Sequence, residues 1–206
     1  MIAVIDYGVG NLFSLCSSLK FVGADVVVTG DPEMIKKADK IILPGVGAFE
    51  DAKKKLASNG LDELIKQRAA AGVPLLGICL GMQMLFEESH EYGIHKGLGL
   101  IKGKVVAMKG KIPDTLDVPH MGWNALKFHN PSPLFKYITE GDCVYFVHSF
   151  FADGCNDSLI ASSEYSIPIT AAVQNGNVYG CQFHPEKSGN VGLNILKAFC
   201  EEGGVL

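Results

Sequence analysis

Cys79 is the residue around which chemistry can be built. It stands in the stretch VPLLGICLGMQMLF, residues 73–86, where an apolar run passes into one with helical spacing. Leu75, Leu76 and Ile78 read as the end of a buried strand, and Met82, Leu85 and Phe86 recur at the period of a helix packed on it. Gly77 and Gly81 flank the thiol as G-x-C-x-G, which permits a turn too tight for side chains on either side. A thiol on such a bend meets free backbone N–H groups and the positive end of a helix, and both favour the thiolate. The Leu80 N–H is then placed to hold an oxyanion once the sulfur attacks a carbonyl. Taken alone, a strand-end cysteine reads equally well as core packing, so the rest of the chain must decide.

A cysteine nucleophile needs a base, and the base needs an orienting partner. His184-Pro185-Glu186 offers both, directly after an apolar strand ending GCQF. Pro185 blocks continuation of the ladder and fixes a turn that can bring the Glu186 carboxylate back to the ring, where it would set the tautomer and stabilise imidazolium. A strand-capping histidine, or a His-x-Glu metal pair, would also fit these letters, although a zinc site wants further ligands at set spacing. The third component is PGVGAF, residues 44–49, a glycine-rich loop whose bare backbone N–H groups suit a second oxyanion donor, or merely a tight turn. Together the three specify acyl transfer through a thioester. Of the remaining histidines, His90, His95 and His129 lie in polar surroundings and read as exposed. His120 and His148 border apolar runs and read as satisfied, partly buried rings.

These groups must be held by alternating strands and helices. Residues 1–6, 26–28 and 41–43 read as strands, with helical spacing in Leu12, Leu15, Cys16 and Leu19, an Asp31-Pro32 helix start, and one or two helices over 48–71 broken near Asn59-Gly60. From Val144 onward YFVH, SIPITAAVQ and NVYGCQF read as strands, with Asn175-Gly176-Asn177 as a hairpin, before a final helix from about Asn190. The expected fold is α/β: an open, mixed, mostly parallel central sheet flanked by helices in three flavodoxin-like layers, with residues 1–206 as a single domain. In such sheets the site lies beyond the carboxyl ends of the parallel strands, so DYGVGN, PGVGAF and the Cys79 bend should share one crevice. DYGVGN is a poor dinucleotide fingerprint, because Phe13 stands where the third glycine belongs. A net charge of −4 excludes a basic field for nucleic acid or anionic lipid. No apolar run reaches membrane-span length, and the six cysteines are too scattered for a disulfide framework, which points to a reduced, cytoplasmic protein.

PGVGAF, GICLGMQ and QFHPE resemble, in order and spacing, the three motifs of the class I glutamine amidotransferases. DYGVGN, PHMGWN (119–124), YFVHSF (145–150) and HPEKSG extend the likeness over essentially the whole chain, toward those members that feed ammonia to a separate (β/α)8-barrel cyclase subunit in histidine biosynthesis. The resemblance implies that Cys79 attacks the side-chain amide of glutamine, that His184 serves the leaving ammonia and then water, and that Glu186 orients it. The oxyanion would lie between Leu80 and Val46, with no cofactor and no metal. Gly47, Gln83, Glu91, His148, Ser149 and Phe150 would hold glutamine. Phe150 stands where tyrosine is the more frequent residue, so no hydroxyl contact is expected there. Asn11, Trp123 and Lys187 would face the cyclase, and the Gly45–Val46 peptide would be the switch that the partner throws. Trp123 has a core reading as well, since large aromatics are mostly buried. The rival readings are an amidotransferase subunit of another synthase, such as one serving pyridoxal phosphate synthesis, a stand-alone cysteine hydrolase of γ-glutamyl compounds, and a regulatory subunit without turnover.

Overall fold

The computed structural model describes residues 1–202. In chain order the first half runs β1 (Ile2–Ile5), α1 (Leu12–Phe21), β2 (Val26–Thr29), α2 (Pro32–Lys37), β3 (Lys40–Leu43), α3 (Phe49–Ser58), α4 (Leu61–Ala70), β4 (Leu75–Ile78) and α5 (Leu80–Met84). The middle adds β5 (Phe86–Ser89), β6 (His95–Lys96), β7 (Ile101–Ala107), β8 (His120–Ala125) and β9 (Lys127–Phe128). The last part is β10 (Cys143–His148), β11 (Phe150–Asp153), β12 (Leu159–Glu164), β13 (Pro168–Asn175), β14 (Val178–Cys181) and α6 (Gly189–Glu201).

The central sheet has the order β2-β1-β3-β4-β14-β13-β12-β9. Pairing is parallel from β2 through β14 and antiparallel beyond it, as the two textures of the sequence predict. β1 and β4 are buried along their whole length, which is why they read as unbroken apolar runs: parallel strands are covered on both faces. Ala3, Ile5, Ile41, Leu43 and Leu75 pack with α2, α3, α4 and α5 on one side. Ile2, Val4, Ile42, Leu76 and Ile78 pack with Leu15 and Leu19 of α1 and Ile195, Leu196 and Phe199 of α6 on the other. The result is the expected three layers.

Local signals hold where backbone chemistry is decisive. Asp31 caps α2 by accepting from Glu33 N at 2.9 Å, α3 and α4 part at Gly60 (φ +66°), and Asn175 faces Val178 across a turn with Gly176 at φ +56°. The helix expected through Phe86 is shorter than its periodicity implies. Met84, Leu85 and Phe86 offer their carbonyls to the N–H groups of Leu98, Leu100 and Gly99, so the chain leaves the helix and Phe86 opens a strand. Gly97 makes that approach possible, because a methyl there would overlap the Phe86 carbonyl oxygen. The strand so formed belongs to a second sheet, β11-β7-β5-β6, and β10 pairs with β8 in a third. Among the described residues no helix is long and apolar enough to cross a membrane.

Gly81 lets the first turn of α5 sit against the end of β3, where an added methyl would strike the Leu43 carbonyl. A backbone group cannot swing aside as a side chain does. Gly81→Ala is therefore expected to destabilise by about 3 kcal/mol, near the upper end for overpacking, and to lower the midpoint of thermal unfolding by about 10 °C. An unchanged melting curve would contradict this packing.

Candidate active site

The backbone reverses at Cys79 with φ 54° and ψ −112°, a conformation that L-residues rarely adopt and that neighbouring structure must enforce. Its N–H donates to Cys181 O at 2.7 Å, and its carbonyl accepts from Gln83 N at 3.1 Å, so the residue ends β4 and starts α5 at once. β14 runs parallel to β4 with Cys181 opposite Ile78, which delivers His184, three residues later, to the same lip of the sheet. There His184 N donates to Tyr145 O at 3.0 Å. Ser188 Oγ donates to His184 O at 2.7 Å and accepts from Tyr145 N at 3.0 Å, locking the turn to β10.

His184 Nδ1 meets Glu186 Oε1 at 2.8 Å, and both side chains are buried, at 3% and 4% exposure. That leaves the other ring nitrogen for Cys79. Burial opposes the charged ring, but hydrogen bonds to the Cys79 sulfur and the Glu186 carboxylate outweigh it, and the pKa rises from 6.5 to about 9. Nearby His148 behaves oppositely: burial pulls it down to about 4, so it is a neutral ring. One cluster thus contains one imidazole poised to hold a proton and one that refuses it.

A cavity of about 360 Å³ opens on the sulfur. It is lined by Cys79, Leu80, Val46, Gly47, Gln83, Glu91, His148, Ser149 and Phe150, all singled out in the sequence, and by Tyr92, Pro119 and Val147, which were not. Gln83 spends both side-chain N–H groups internally, on Phe150 O and Gln182 Oε1, each at 3.0 Å, so its oxygen is the atom left for a ligand. Glu91 reaches from its loop to the N-terminus of α3, where Oε2 accepts from Phe49 N at 2.7 Å. The carboxylate is thereby held at the positive end of a helix. The carbonyls of Ser149 and Phe150 are already engaged, by Met108 N and by the Gln83 and His148 side chains.

The family model for glutamine amidotransferase class-I matches residues 3–202. The chain belongs to the class I glutamine amidotransferases. Among curated relatives, the imidazole glycerol phosphate synthase subunit HisH of Bacillus licheniformis is 54% identical over 202 residues, covering 97% of this chain and 95% of that one. The proteins of the same name from Bacillus subtilis and Lactococcus lactis are 52% and 50% identical, with 97% and 98% of this chain covered, and 95% and 98% of theirs. Two solved structures share the fold at a TM-score of 0.75: a glutamine amidotransferase, 17% identical over 97% of this chain and 99% of that one, and the PurLQS structure from Thermotoga maritima, 21% identical over 96% of each.

In this amidotransferase Trp123 is not a core residue: it is 55% exposed on β8, its ring set edge-on to Tyr145 with centroids 6.0 Å apart. Lys187 Nζ lies 5.8 Å from the centroid of the same Tyr145 ring, so the two form one surface cluster beside the His184 turn. Asn11 is half-buried at the start of α1. His120 and His148 are fully buried rather than partly, joined Nδ1 to Nε2 at 3.2 Å, with His120 Nε2 2.8 Å from Asn124 Oδ1. His90 and His95 are half-buried rather than exposed, because each turns to a carboxylate, Glu88 at 2.7 Å and Glu50 at 3.8 Å. His129 is exposed.

Beyond Tyr92, Pro119 and Val147 in the pocket lining, sequence reasoning overlooks two more residues, Tyr7 and Gln182. Tyr7 is buried and donates to Pro44 O at 2.8 Å, tying DYGVGN to PGVGAF. Burial, then the Cys79 charge, push its hydroxyl pKa up. Gln182 is fully buried with Nε2 3.8 Å from Cys79 Sγ. Its only signal was a polar letter inside the apolar run VYGCQF.

A pKa raised on folding means that the His184 contribution to stability is complete below pH 6.5 and is lost as the pH rises to about 9. Glu186→Gln should lower the ring pKa by ~1–3 pH units and flatten that part of the stability profile. NMR titration of the His184 ring with urea denaturation at both ends of the window checks it; an unaltered titration would contradict the pairing.

Proposed function

We propose that this chain is the glutaminase subunit of an imidazole glycerol phosphate synthase, one amidotransferase domain that hydrolyses glutamine in the cytoplasm and passes ammonia to a (β/α)8-barrel cyclase in histidine biosynthesis. The observation that carries this reading is one imidazole held between a buried carboxylate and the sulfur of Cys79, which itself lines a ligand-sized pocket. Relatives at about half identity over nearly the full chain, with that synthase in their names, supply the reaction's setting.

On this reading glutamine enters with its side-chain amide over Cys79. Cys79 has by then given its proton to His184, whose raised pKa keeps the ring charged; the sulfur attacks the amide carbon, and the oxyanion rests between the N–H groups of Leu80 and Val46. His184 returns the proton to the nitrogen, ammonia departs, and a thioester remains. The same ring then takes a proton from water, which attacks the thioester and frees glutamate. Glu186 keeps the ring oriented and offsets its charge throughout. Gly47, Gln83, Glu91 and the 148–150 segment hold the amino acid, with the Gln83 oxygen and the Glu91 carboxylate suited to its ammonium group.

Ammonia that meets water becomes ammonium and loses its nucleophilicity, so the outlet must be covered by the cyclase. The Trp123–Tyr145–Lys187 cluster suits that role: an exposed aromatic anchor beside a cation, next to the His184 turn. Docking there acts on the Gly45–Val46 peptide. Gly45 is so close to Tyr7, Leu80 and Gly81 that only glycine fits, and it leaves the following N–H free to turn toward or away from the oxyanion.

Cys79→Ala is expected to abolish glutamine-dependent synthesis while the assembled pair still uses ammonium salts. Loss of both would mean a structural cysteine. Trp123→Ala should weaken cyclase binding about 30-fold, as hot-spot aromatics do, measured by calorimetry; unchanged affinity would remove Trp123 from the interface. An isolated chain hydrolysing glutamine as fast as the ligand-bound complex would overturn the gating.

A further inference from the structure

Gln182 has no part in the steps above, yet it is buried and both ends of its side-chain amide are engaged at the nucleophile. Its oxygen accepts from Gln83 Nε2 at 3.0 Å, and its nitrogen lies 3.8 Å from Cys79 Sγ. The direction of these bonds is dictated from outside the pair. The main-chain carbonyl of Phe150 can only accept, and the Gln83 side chain lies 3.0 Å from it, so Gln83 must present NH2 there. His148 Nδ1 donates to the same carbonyl at 2.8 Å, which agrees with its acceptor role. The Gln83 NH2 group also reaches Gln182, which must therefore answer with oxygen. The Gln182 NH2 group is then left facing the sulfur, and neither amide can be reversed without setting two like groups against each other.

We propose that Gln182 is a positioning residue for the glutaminase reaction, holding Cys79 as the acceptor of an N–H hydrogen bond so that the thiol proton is directed to His184. The inference takes the reaction itself from the function proposed above. Its physical content is a relay of polarity: one backbone carbonyl orients Gln83, Gln83 orients Gln182, and Gln182 presents a donor rather than an acceptor to the sulfur. When the proton leaves, the N–H is already aimed at the developing thiolate, and a hydrogen bond to an anion is stronger than one to a neutral group. The other end of the same amide, accepting from Gln83 Nε2, braces Gln83 in the pocket wall, so the nucleophile and one glutamine contact are set by a single side chain.

The test is the pH profile of Cys79 alkylation by iodoacetamide, followed on the Cys79 peptide by mass spectrometry, in the full chain and in Gln182→Met, which conserves volume and removes both polar ends. The expected result is a half-maximal point about one pH unit higher, with the same plateau at high pH. An unmoved half-maximal point, with or without a lower plateau, overturns the proposal, because it reports access and not proton affinity. Neutron diffraction from wild-type crystals exchanged into heavy water reads the same point without substitution: deuterons on the Gln182 atom facing Sγ support it, and a bare oxygen there overturns it. Iodoacetamide is not a glutamine analogue, so this outcome is independent of whether the protein is a glutaminase.

Discussion

The backbone hydrogen bond from Cys79 N to Cys181 O is the interaction on which the site depends. It is the last rung between β4 and β14, two parallel strands whose register sets Ile78 against Cys181. Because β4 can run no further than its partner's support, the chain turns at Cys79, and because β14 ends on the same rung, His184 emerges at the same lip of the sheet. A register shift of one residue would turn every side chain of the strand to the opposite face. Cys79 and His184 are therefore placed by sheet pairing, and the 104 residues between them in sequence need not be rigid.

Electrostatics then separates histidines that composition treats alike. His184 has a buried carboxylate and a sulfur for partners, and charge becomes acceptable in an apolar setting. His148 sees a backbone carbonyl and another imidazole, so burial prevails and it stays neutral. The neutral pair runs inward from His148 in the pocket wall, joining β8 to β10 without adding positive charge beside the His184 ring. In the low-dielectric lip of the sheet that distinction matters more than it would in water.

How much of this was readable in the sequence follows from the range of the interactions. The elbow, the Asp31 cap, the hairpin at Gly176 and the His-Pro-Glu turn are local, and glycine or proline announces each. The parallel-to-antiparallel change was visible because strands covered on both faces carry unbroken apolar runs. What failed was decided at a distance. The helix through Phe86 ends because residues 98–100 take its carbonyls, and nothing within 80–86 encodes that competition. Glu88 and Glu50 draw in His90 and His95 through strand and helix placements that periodicity does not reveal. Gln182 and Tyr7 were missed for the same reason, since a single polar letter in an apolar run does not say which group it will meet.

The proposed chemistry turns on one sulfur forming a bond to the side-chain carbonyl carbon of glutamine. It is tested by incubating the full chain, together with the cyclase proposed to dock on it, with a glutamine-mimicking electrophile and locating the adduct by peptide mapping. A single modification is expected, on Cys79, and free glutamine should slow it. Modification of Cys16, Cys143 or any other residue in its place, or labelling indifferent to glutamine, would contradict it.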